Sequence, residues 1–260
     1  MIFNRKAFPV VETCLNQLTN PEIVLNQKTD HVNDIWHTYQ VCINDEIINQ
    51  TKLTIIYPAT EKLIKKYSST KMILVEETAK IYETVTKPYL DKSQNSLQWI
   101  YNILDGKSEQ DRVVYHDRKD DVNGFCLLPS MNWPGDIEDL YLITLPNRKD
   151  LASLRDLRGK HVDFLEKMGE QVVKVCKEKY GLGKGDLRMF FHYQPSFYHL
   201  HLHVMNVGYR PAGVEVGRAV LLRDVIDNLK MESDYYAKKT MTYCLKEDDE
   251  LLELINKSNN

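Results

Sequence analysis

The stretch Phe191–Arg210, FHYQPSFYHLHLHVMNVGYR, contains four of the eight histidines in this 260-residue chain. Three of them, His199, His201 and His203, alternate with apolar residues. Such alternation is the period of a β-strand that buries one face and turns the other toward a pocket. We therefore expect the three imidazoles to project from the same face of one strand.

A row of histidines at this spacing allows three interpretations. Structural histidines would each need a partner for a buried ring nitrogen, which is costly to arrange three times. A metal site would use imidazole, a common zinc ligand, but the stretch from Phe191 to Tyr209 offers no Asp, Glu or Cys to complete it. In the third, one neutral imidazole attacks a phosphate while its neighbours hold the tautomer, the charge and the leaving group. The residue pattern favours this third interpretation.

Composition and charge restrict the class of protein. With 43% hydrophobic residues the chain can bury a substantial core. No apolar run approaches the ~20 residues that span a bilayer, and Met1 to Leu18 mixes polar side chains into every apolar stretch, so we expect neither a membrane helix nor a signal peptide. Five dispersed cysteines indicate reduced thiols in an intracellular protein, cytoplasmic or nuclear. A net charge of −3 argues against a protein that tracks along nucleic acid, so a nucleotide would need a local basic pocket.

Sequence patterns predict two domains, 1–70 and 71–260, which meet near the polar break Ser68–Thr70. In the first domain we expect residues 1–30 to be irregular or mobile. The remainder is predicted to form two strands that make a small antiparallel sheet, Tyr39–Ile43 and Leu53–Tyr57, and a helix, Glu61–Tyr67.

The second domain is predicted to be α+β, with a mostly antiparallel sheet and flanking helices. Its clearest helix is Gly159–Tyr180, where apolar residues recur at spacings of three and four and Gly181 follows. The other predicted helices are Thr78–Val85, ended by Pro88, and Ser96–Asp105, Ala219–Leu229 and Asp248–Lys257. The predicted strands are Met72–Glu76, Arg112–Tyr115, Gly124–Leu128, Leu140–Leu145, Leu187–Tyr193 and His199–Val207.

The three alternating histidines resemble the histidine-triad motif of a superfamily of nucleotide hydrolases and transferases. Four further motifs resemble one branch of it, the scavenger mRNA-decapping enzymes: Tyr57–Lys62, Leu97–Asp105, His192–Tyr198 and Gly217–Arg218. The resemblance covers the chain from about Asn33 to Leu252. It implies a small amino-terminal domain with antiparallel strands and a carboxy-terminal histidine-triad domain.

The resemblance also implies an activity. In the family, 7-methylguanosine linked through three phosphates to a nucleoside or a very short RNA is hydrolysed to 7-methyl-GMP, through a covalent nucleotidyl-histidine. It assigns the role of nucleophile to His201, and it implies that His199 orients His201 by hydrogen bonding. His203, His192 and Arg218 would contact phosphate oxygens or the leaving group. The family needs no metal or other cofactor.

Residues that would bind the cap are likewise implied by the resemblance. Trp99, which by itself would be interpreted as a core residue, would stack on the methylated base, and Glu109 would accept hydrogen bonds from the guanine N1 and N2 donors. Pro129 and Met131 would form the opposing wall, Ser196 would bind phosphate, and three residues of the first domain would reach over the substrate: Asn33, Trp36 and Lys66. The resemblance further implies a homodimer with exchanged amino-terminal domains.

Two alternatives remain open at this point. A general dinucleoside-polyphosphate hydrolase of the same superfamily would keep His201 without requiring N7 methylation. A cap-binding regulator would retain the base pocket without turnover. Hydrolysis of methylated and unmethylated cap dinucleotides distinguishes these two proteins from a decapping enzyme.

Overall fold

The computed structural model divides the chain into two compact units, Met1–Ser69 and Thr70–Asn260. The structure describes residues 2–5, 24–33, 36–43, 51–54, 71–93, 97–131, 133, 135–211, 213–214 and 216–258. Up to residue 70, and at residue 93, this description is confined to the backbone. Within these ranges, every helix is too short or too polar to cross a membrane.

The described part of the first unit consists of strands in two antiparallel pairs. The strands are β1 (Ile2–Arg5), β2 (Val24–Asn33), β3 (Trp36–Ile43) and β4 (Thr51–Thr54). Strand β2 pairs with β3, and β1 pairs with β4.

Two predictions for this unit are wrong. Residues 1–30 are not irregular throughout, because β1 and most of β2 lie there; the polar composition of β2 hides its strand period. The segment Tyr39–Ile43 pairs with β2 and not with the strand after it. Only two residues separate β2 from β3, and a short connection closes at little entropic cost. The helix predicted at Glu61–Tyr67 lies outside the described residues.

The second unit alternates strands and helices. Its strands are β5 (Met72–Glu77), β6 (Tyr115–His116), β7 (Phe125–Pro129), β8 (Tyr141–Pro146), β9 (Leu187–His192), β10 (Leu202–Asn206), β11 (Ala219–Leu221) and β12 (Met241–Lys246). Its helices are α1 (Ala79–Ile81), α2 (Lys87–Ser93), α3 (Gln98–Leu104), α4 (Val162–Tyr180), α5 (Leu222–Met231), α6 (Tyr235–Lys238) and α7 (Glu250–Ser258).

Six of these strands form one antiparallel sheet in the order β11-β9-β10-β8-β7-β6, and β5 pairs with β12 in a separate ribbon. The predicted α+β fold, with a mostly antiparallel sheet and flanking helices, is confirmed. Helix α4 covers one face of the sheet with the residues that its sequence period selects, such as Leu165, Val172 and Cys176, all fully buried. Gly181 ends the helix in the left-handed conformation, at φ 75°.

The helix predicted to stop at Pro88 continues past it. A π-helical turn, Tyr82–Thr86, joins α1 to α2, and Lys87 donates its backbone N–H to the carbonyl of Tyr82, five residues back. Proline lacks an N–H and clashes with the carbonyl four residues before it in an α-helix. The wider π turn changes the hydrogen-bond register directly before Pro88, and the chain therefore remains helical to Ser93.

A fully buried ion pair connects β5 with the segments around the sheet. Arg155 lies in a 3-10 turn, Leu154–Asp156, and its Nη2 is 2.6 Å from Oε1 of Glu77. The same guanidinium donates to the backbone carbonyls of Tyr236 and Lys239, at 2.8 and 2.7 Å. Every charge-bearing oxygen and most N–H groups of the pair thus have a partner, as a charge away from water requires.

Two tyrosines and a threonine complete the hydrogen bonding of Glu77. Tyr243 and Thr86 donate to Oε2 at 2.8 and 2.7 Å, and Tyr193 donates to Oε1. Burial next to Glu77 raises the pKa of both tyrosines, so they stay protonated and act as donors. Because Tyr193 directly follows β9, this network fixes the start of the loop that leads to the histidine row.

Removal of Arg155 should therefore destabilise the second unit strongly. We expect Arg155→Met to lower the free energy of unfolding by about 3–5 kcal/mol, because Glu77 would remain as an uncompensated buried charge. The control is Arg223→Met, which removes one partner of the exposed i,i+4 pair with Asp227 and should cost no more than about 0.5 kcal/mol. Urea denaturation followed by circular dichroism measures both, and equal losses would contradict a structural role for the buried pair.

Candidate active site

The predicted alternation is present in the folded chain. Leu200, Leu202 and Val204 lie in the main core cluster, so the intervening histidines occupy the opposite side of the chain. Regular strand pairing begins only at Leu202, however, and His199 and His201 precede it. The histidines are also more buried than a face turned to a pocket would be: His199, His201 and His203 are 1%, 3% and 5% exposed.

Aromatic rings account for this burial. Phe197 stacks on His201, with ring centroids 3.9 Å apart and planes at 20°. His203 stacks on Phe190 at 5.1 Å and lies 4.1 Å from the ring of His192. The rings of the predicted row are thus covered by aromatic side chains of β9 and of the loop between β9 and β10.

Backbone carbonyls set the tautomers of two triad histidines. Nδ1 of His201 is 2.8 Å from the carbonyl oxygen of His199, and Nε2 of His199 is 2.9 Å from that of Pro146. A carbonyl only accepts, so these ring nitrogens carry the hydrogen and donate it. The other nitrogen of His201, Nε2, therefore has a free lone pair, and no group in the described residues forms a hydrogen bond with it. This is the geometry of a neutral nucleophile.

His192 and His203 form the other half of the histidine group. Nε2 of His192 is 2.7 Å from the carbonyl of Gly213, to which it donates. Nδ1 of His203 shares a hydrogen bond of 2.8 Å with the hydroxyl of Tyr141. Gly213 adopts φ 101°, and a Cβ there would meet the His192 ring at 3.4 Å, so a residue without a side chain lets the loop approach.

Burial favours the neutral form of the three triad imidazoles. It lowers the pKa of His201 to about 4, against the smaller, opposite effect of the hydrogen bond to the His199 carbonyl. Burial also lowers the pKa of His199 and His203, with His201, His192 and Arg218 adding to the effect at His203. A neutral ring can attack a phosphate throughout the physiological pH range.

Of the residues assigned to the base pocket, Trp99 lies next to this group. Trp99, on α3, is 42% exposed, and its ring meets the edge of Phe197 at 5.2 Å. Phe197 thereby connects the indole to His201. Glu109 lies in the loop after α3, where Arg112 forms an ion pair with its carboxylate and donates to the carbonyl of Pro129 at 3.0 Å.

For the remaining predicted residues, the structure gives only exposure or position in the chain. Met131 follows β7 and is 89% exposed, while Ser196 and Arg218 are exposed beside the histidine loop. Asn33 and Trp36 are register partners at the end of the β2–β3 hairpin, where the structure describes the backbone alone. Lys66 lies outside the described residues. The structure therefore links Trp99 to the histidines through Phe197, and links Glu109 to Pro129 through Arg112.

Three residues of the site were not assigned a role from the sequence: Tyr141, Phe197 and Arg112. Tyr141 reaches His203 diagonally across neighbouring strands, a contact that no local pattern reveals. Phe197 stands four residues before His201 within the quoted motif, but its aromatic side chain suggests core packing. Among the described residues, no group of three or more His, Cys, Asp and Glu side chains is arranged to hold a metal.

Comparisons with known proteins agree in both units. A family model described as "Scavenger mRNA decapping enzyme (DcpS) N-terminal" matches residues 1–70, and one described as "Scavenger mRNA decapping enzyme C-term binding" matches residues 98–217. A protein from Ascaris suum named m7GpppX diphosphatase is 41% identical over 96% of this chain and 81% of its own length. Proteins of the same name from Homo sapiens and Schizosaccharomyces pombe are 36% and 34% identical, over 99% and 100% of this chain and 75% and 86% of their own lengths.

The tautomer and charge of His201 can be tested directly. We expect its imidazole to carry the hydrogen on Nδ1 and to titrate with a pKa of about 4, because burial disfavours the cation. Long-range ¹H–¹⁵N NMR of the histidine side chains, recorded from pH 8 to pH 4, measures both properties. The spectrum of His201→Asn assigns the resonance, and an Nε2–H tautomer or a pKa near 6.5 would contradict the geometry.

Proposed function

The chain belongs to the family of scavenger mRNA-decapping enzymes, and from this we propose that it hydrolyses the triphosphate bridge of the mRNA cap. Its substrates are m7GpppN and the short capped oligoribonucleotides that 3′-to-5′ mRNA decay leaves behind. The products are 7-methyl-GMP and a nucleoside or oligonucleotide diphosphate. One observation carries the proposal: the free Nε2 of a neutral, buried His201, in a chain whose relatives are named m7GpppX diphosphatase.

The proposed reaction proceeds in two steps. His201 Nε2 attacks the phosphorus that bears 7-methylguanosine, and the bond from that phosphorus to the bridging oxygen breaks. The leaving diphosphate takes the Nε2 proton of His192, the proton that the carbonyl of Gly213 accepts in the structure, and His192 enters this step as a cation and leaves it as a neutral ring. Water then attacks the nucleotidyl-histidine, the N–P bond breaks, and the proton of the water restores His192.

Fixed dipoles support the charge that develops on His201. Once Nε2 bonds to phosphorus, the imidazole carries a positive charge, which the carbonyl of His199 stabilises through its bond to Nδ1–H. Arg218, whose charge already lowers the pKa of His203, supplies positive charge for the phosphate oxygens.

Trp99 and Glu109 provide the base specificity in this proposal. Methylation at N7 leaves a positive charge on the guanine ring, and stacking of a cation on an indole contributes about 1–2 kcal/mol when desolvated. The exposed indole of Trp99 is available for such stacking. Glu109 accepts hydrogen bonds from the N1 and N2 donors of the base.

The deciding experiment compares the parent with His201→Asn. The variant should bind the cap dinucleotide but lose hydrolysis by several orders of magnitude, because asparagine approximates the size of imidazole without its nucleophilic nitrogen. Product analysis in the presence of a chelator should show 7-methyl-GMP from the parent at an unchanged rate. Substantial turnover by the variant would exclude His201 as the nucleophile.

Other outcomes of the same assay identify the alternatives. Equal rates with methylated and unmethylated dinucleotides would indicate a general dinucleoside-polyphosphate hydrolase. Tight binding without turnover by the parent would indicate a cap-binding regulator, and activity lost to the chelator but restored by zinc would indicate a metal enzyme.

We further propose a homodimer that acts in the cytoplasm, the nucleus or both. Strand β11 is an edge of the six-stranded sheet, and Leu221 on it is 46% exposed. Beside it, a groove of about 600 Å³ is lined mainly by apolar residues of α4, β9 and α5, including Val173 and Ile226. An unpaired edge next to an apolar groove is suited to self-association about a two-fold axis.

Leu221→Asp should therefore shift the protein from dimer to monomer, because it places a charge at the proposed interface. Light scattering after gel filtration should give about twice the chain mass of 30.4 kDa for the parent. Val122→Asp, at another exposed apolar residue, is the matched control and should remain dimeric. A dimeric Leu221→Asp would place the interface elsewhere.

A further inference from the structure

Arg112 connects two walls of the candidate base pocket. Its Nη1 forms an ion pair with Oε2 of Glu109, and its Nη2 donates to the backbone carbonyl of Pro129 at 3.0 Å. Both partners of Arg112 are thus residues assigned to the pocket, and neither belongs to the buried core. The side chains of Arg112 and Glu109 are 32% and 36% exposed, so the pair lies at the rim, where a base could approach.

The backbone at Glu109 is unusual in the same place. Glu109 adopts φ 53°, and among the described residues no other residue except glycine has a positive φ. Side chains other than glycine rarely occupy this left-handed region, and such residues concentrate at functional sites when the surroundings hold them there. Here the surroundings are a braced turn: Arg112 donates its backbone N–H to the carbonyl of Glu109 at 3.0 Å, and the side chain of Gln110 donates to the carbonyls of Ile103 and Ser108 at 2.9 and 2.7 Å.

We propose that Arg112 is a positioning residue that sets the preference for guanine by holding the Glu109 carboxylate in one orientation against Pro129. The proposal rests on the cap as substrate. A guanine base presents the N1–H and N2–H donors side by side in its plane, and the two oxygens of one carboxylate can accept both only when the carboxylate lies edge-on in that plane. Each carboxylate oxygen has two lone pairs, so Oε2 can accept from Arg112 and from the base together.

The guanidinium is suited to this task because its donors form a rigid planar fork. Nη1 holds the Glu109 carboxylate and Nη2 holds the carbonyl of Pro129. The distance between these two residues and the direction of the carboxylate oxygens are therefore set together. A free glutamate side chain would sample several rotamers and would lose that freedom on binding. Lysine, a point charge on a flexible stem, cannot hold both contacts in fixed geometry.

The experiment compares two bases that differ in one donor group. Hypoxanthine lacks the N2 amino group of guanine, so the ratio of kcat/KM for the 7-methylguanine and 7-methylhypoxanthine cap dinucleotides measures recognition of that group. We expect the parent to prefer guanine by about tenfold or more, as for a charge-assisted hydrogen bond. Arg112→Met should reduce the ratio to within about twofold of unity, mainly through a higher KM for the guanine substrate, and Arg112→Lys should be intermediate.

Two controls separate positioning from a general structural effect. Lys107→Met removes a positive charge from an exposed pair with Asp105 in the same loop and should leave the ratio unchanged. In a Glu109→Gln background, Arg112→Met should have no further effect, because Arg112 acts through that carboxylate. The melting temperature of each variant should stay close to that of the parent.

The proposal is overturned if Arg112→Met keeps the parent ratio, or if its effect persists in the Glu109→Gln background. A failure of the proposed function would look different, since the parent would then cleave neither dinucleotide. In that case, titration of the His201→Asn protein with 7-methyl-GMP and 7-methyl-IMP, with and without Arg112→Met, still decides the question. A loss of guanine preference in binding supports the role of Arg112, and an unchanged preference excludes it.

Discussion

The second unit depends on one buried interaction, the contact of the Arg155 guanidinium with the Glu77 carboxylate. The pair is stable away from water because each charge meets several hydrogen-bonding partners drawn from different parts of the chain. It joins the β5–β12 ribbon to the turn before α4 and to the end of β9. A hydrophobic core alone would allow these segments to shift against one another, whereas directional bonds to a fixed charge do not.

This constraint extends to the chemistry through the loop after β9. Tyr193 is bonded to Glu77, and Gln194 donates to the hydroxyl of Tyr243 at 3.0 Å. The loop then places Phe197 between Trp99 and His201. A charge pair outside the histidine group thus fixes the path of the chain that covers His201. The covering rings exclude water, and this exclusion is the main cause of the low pKa of His201.

The sequence predicted the features that a local period encodes. Helix α4 and the alternation around His201 follow directly from spacings of three to four and of two, and the resemblance supplied the roles that spacing could not. Contacts between distant segments were not predictable: Tyr141 meets His203 across strands, and Arg112, which pairs with Glu109, also contacts Pro129 seventeen residues further on. The π turn before Pro88 was also missed, because sequence rules treat proline as a helix end and do not consider a change of register. The placement of Asn33, Trp36 and Lys66 over the substrate stays a prediction.

Three of the four clustered histidines form hydrogen bonds with main-chain oxygens, those of Pro146, His199 and Gly213. An amide oxygen does not titrate, unlike a carboxylate partner, so it orients an imidazole at every pH. The bonds to Pro146 and His199 raise the pKa of His199 and His201, but burial lowers it by more. The atoms that orient the rings at these three positions therefore belong to the backbone, although at position 213 the approach also requires glycine. The orientation is a property of the route of the polypeptide, and replacing an amide by an ester at one of these carbonyls would perturb it more selectively than any exchange among the twenty natural side chains.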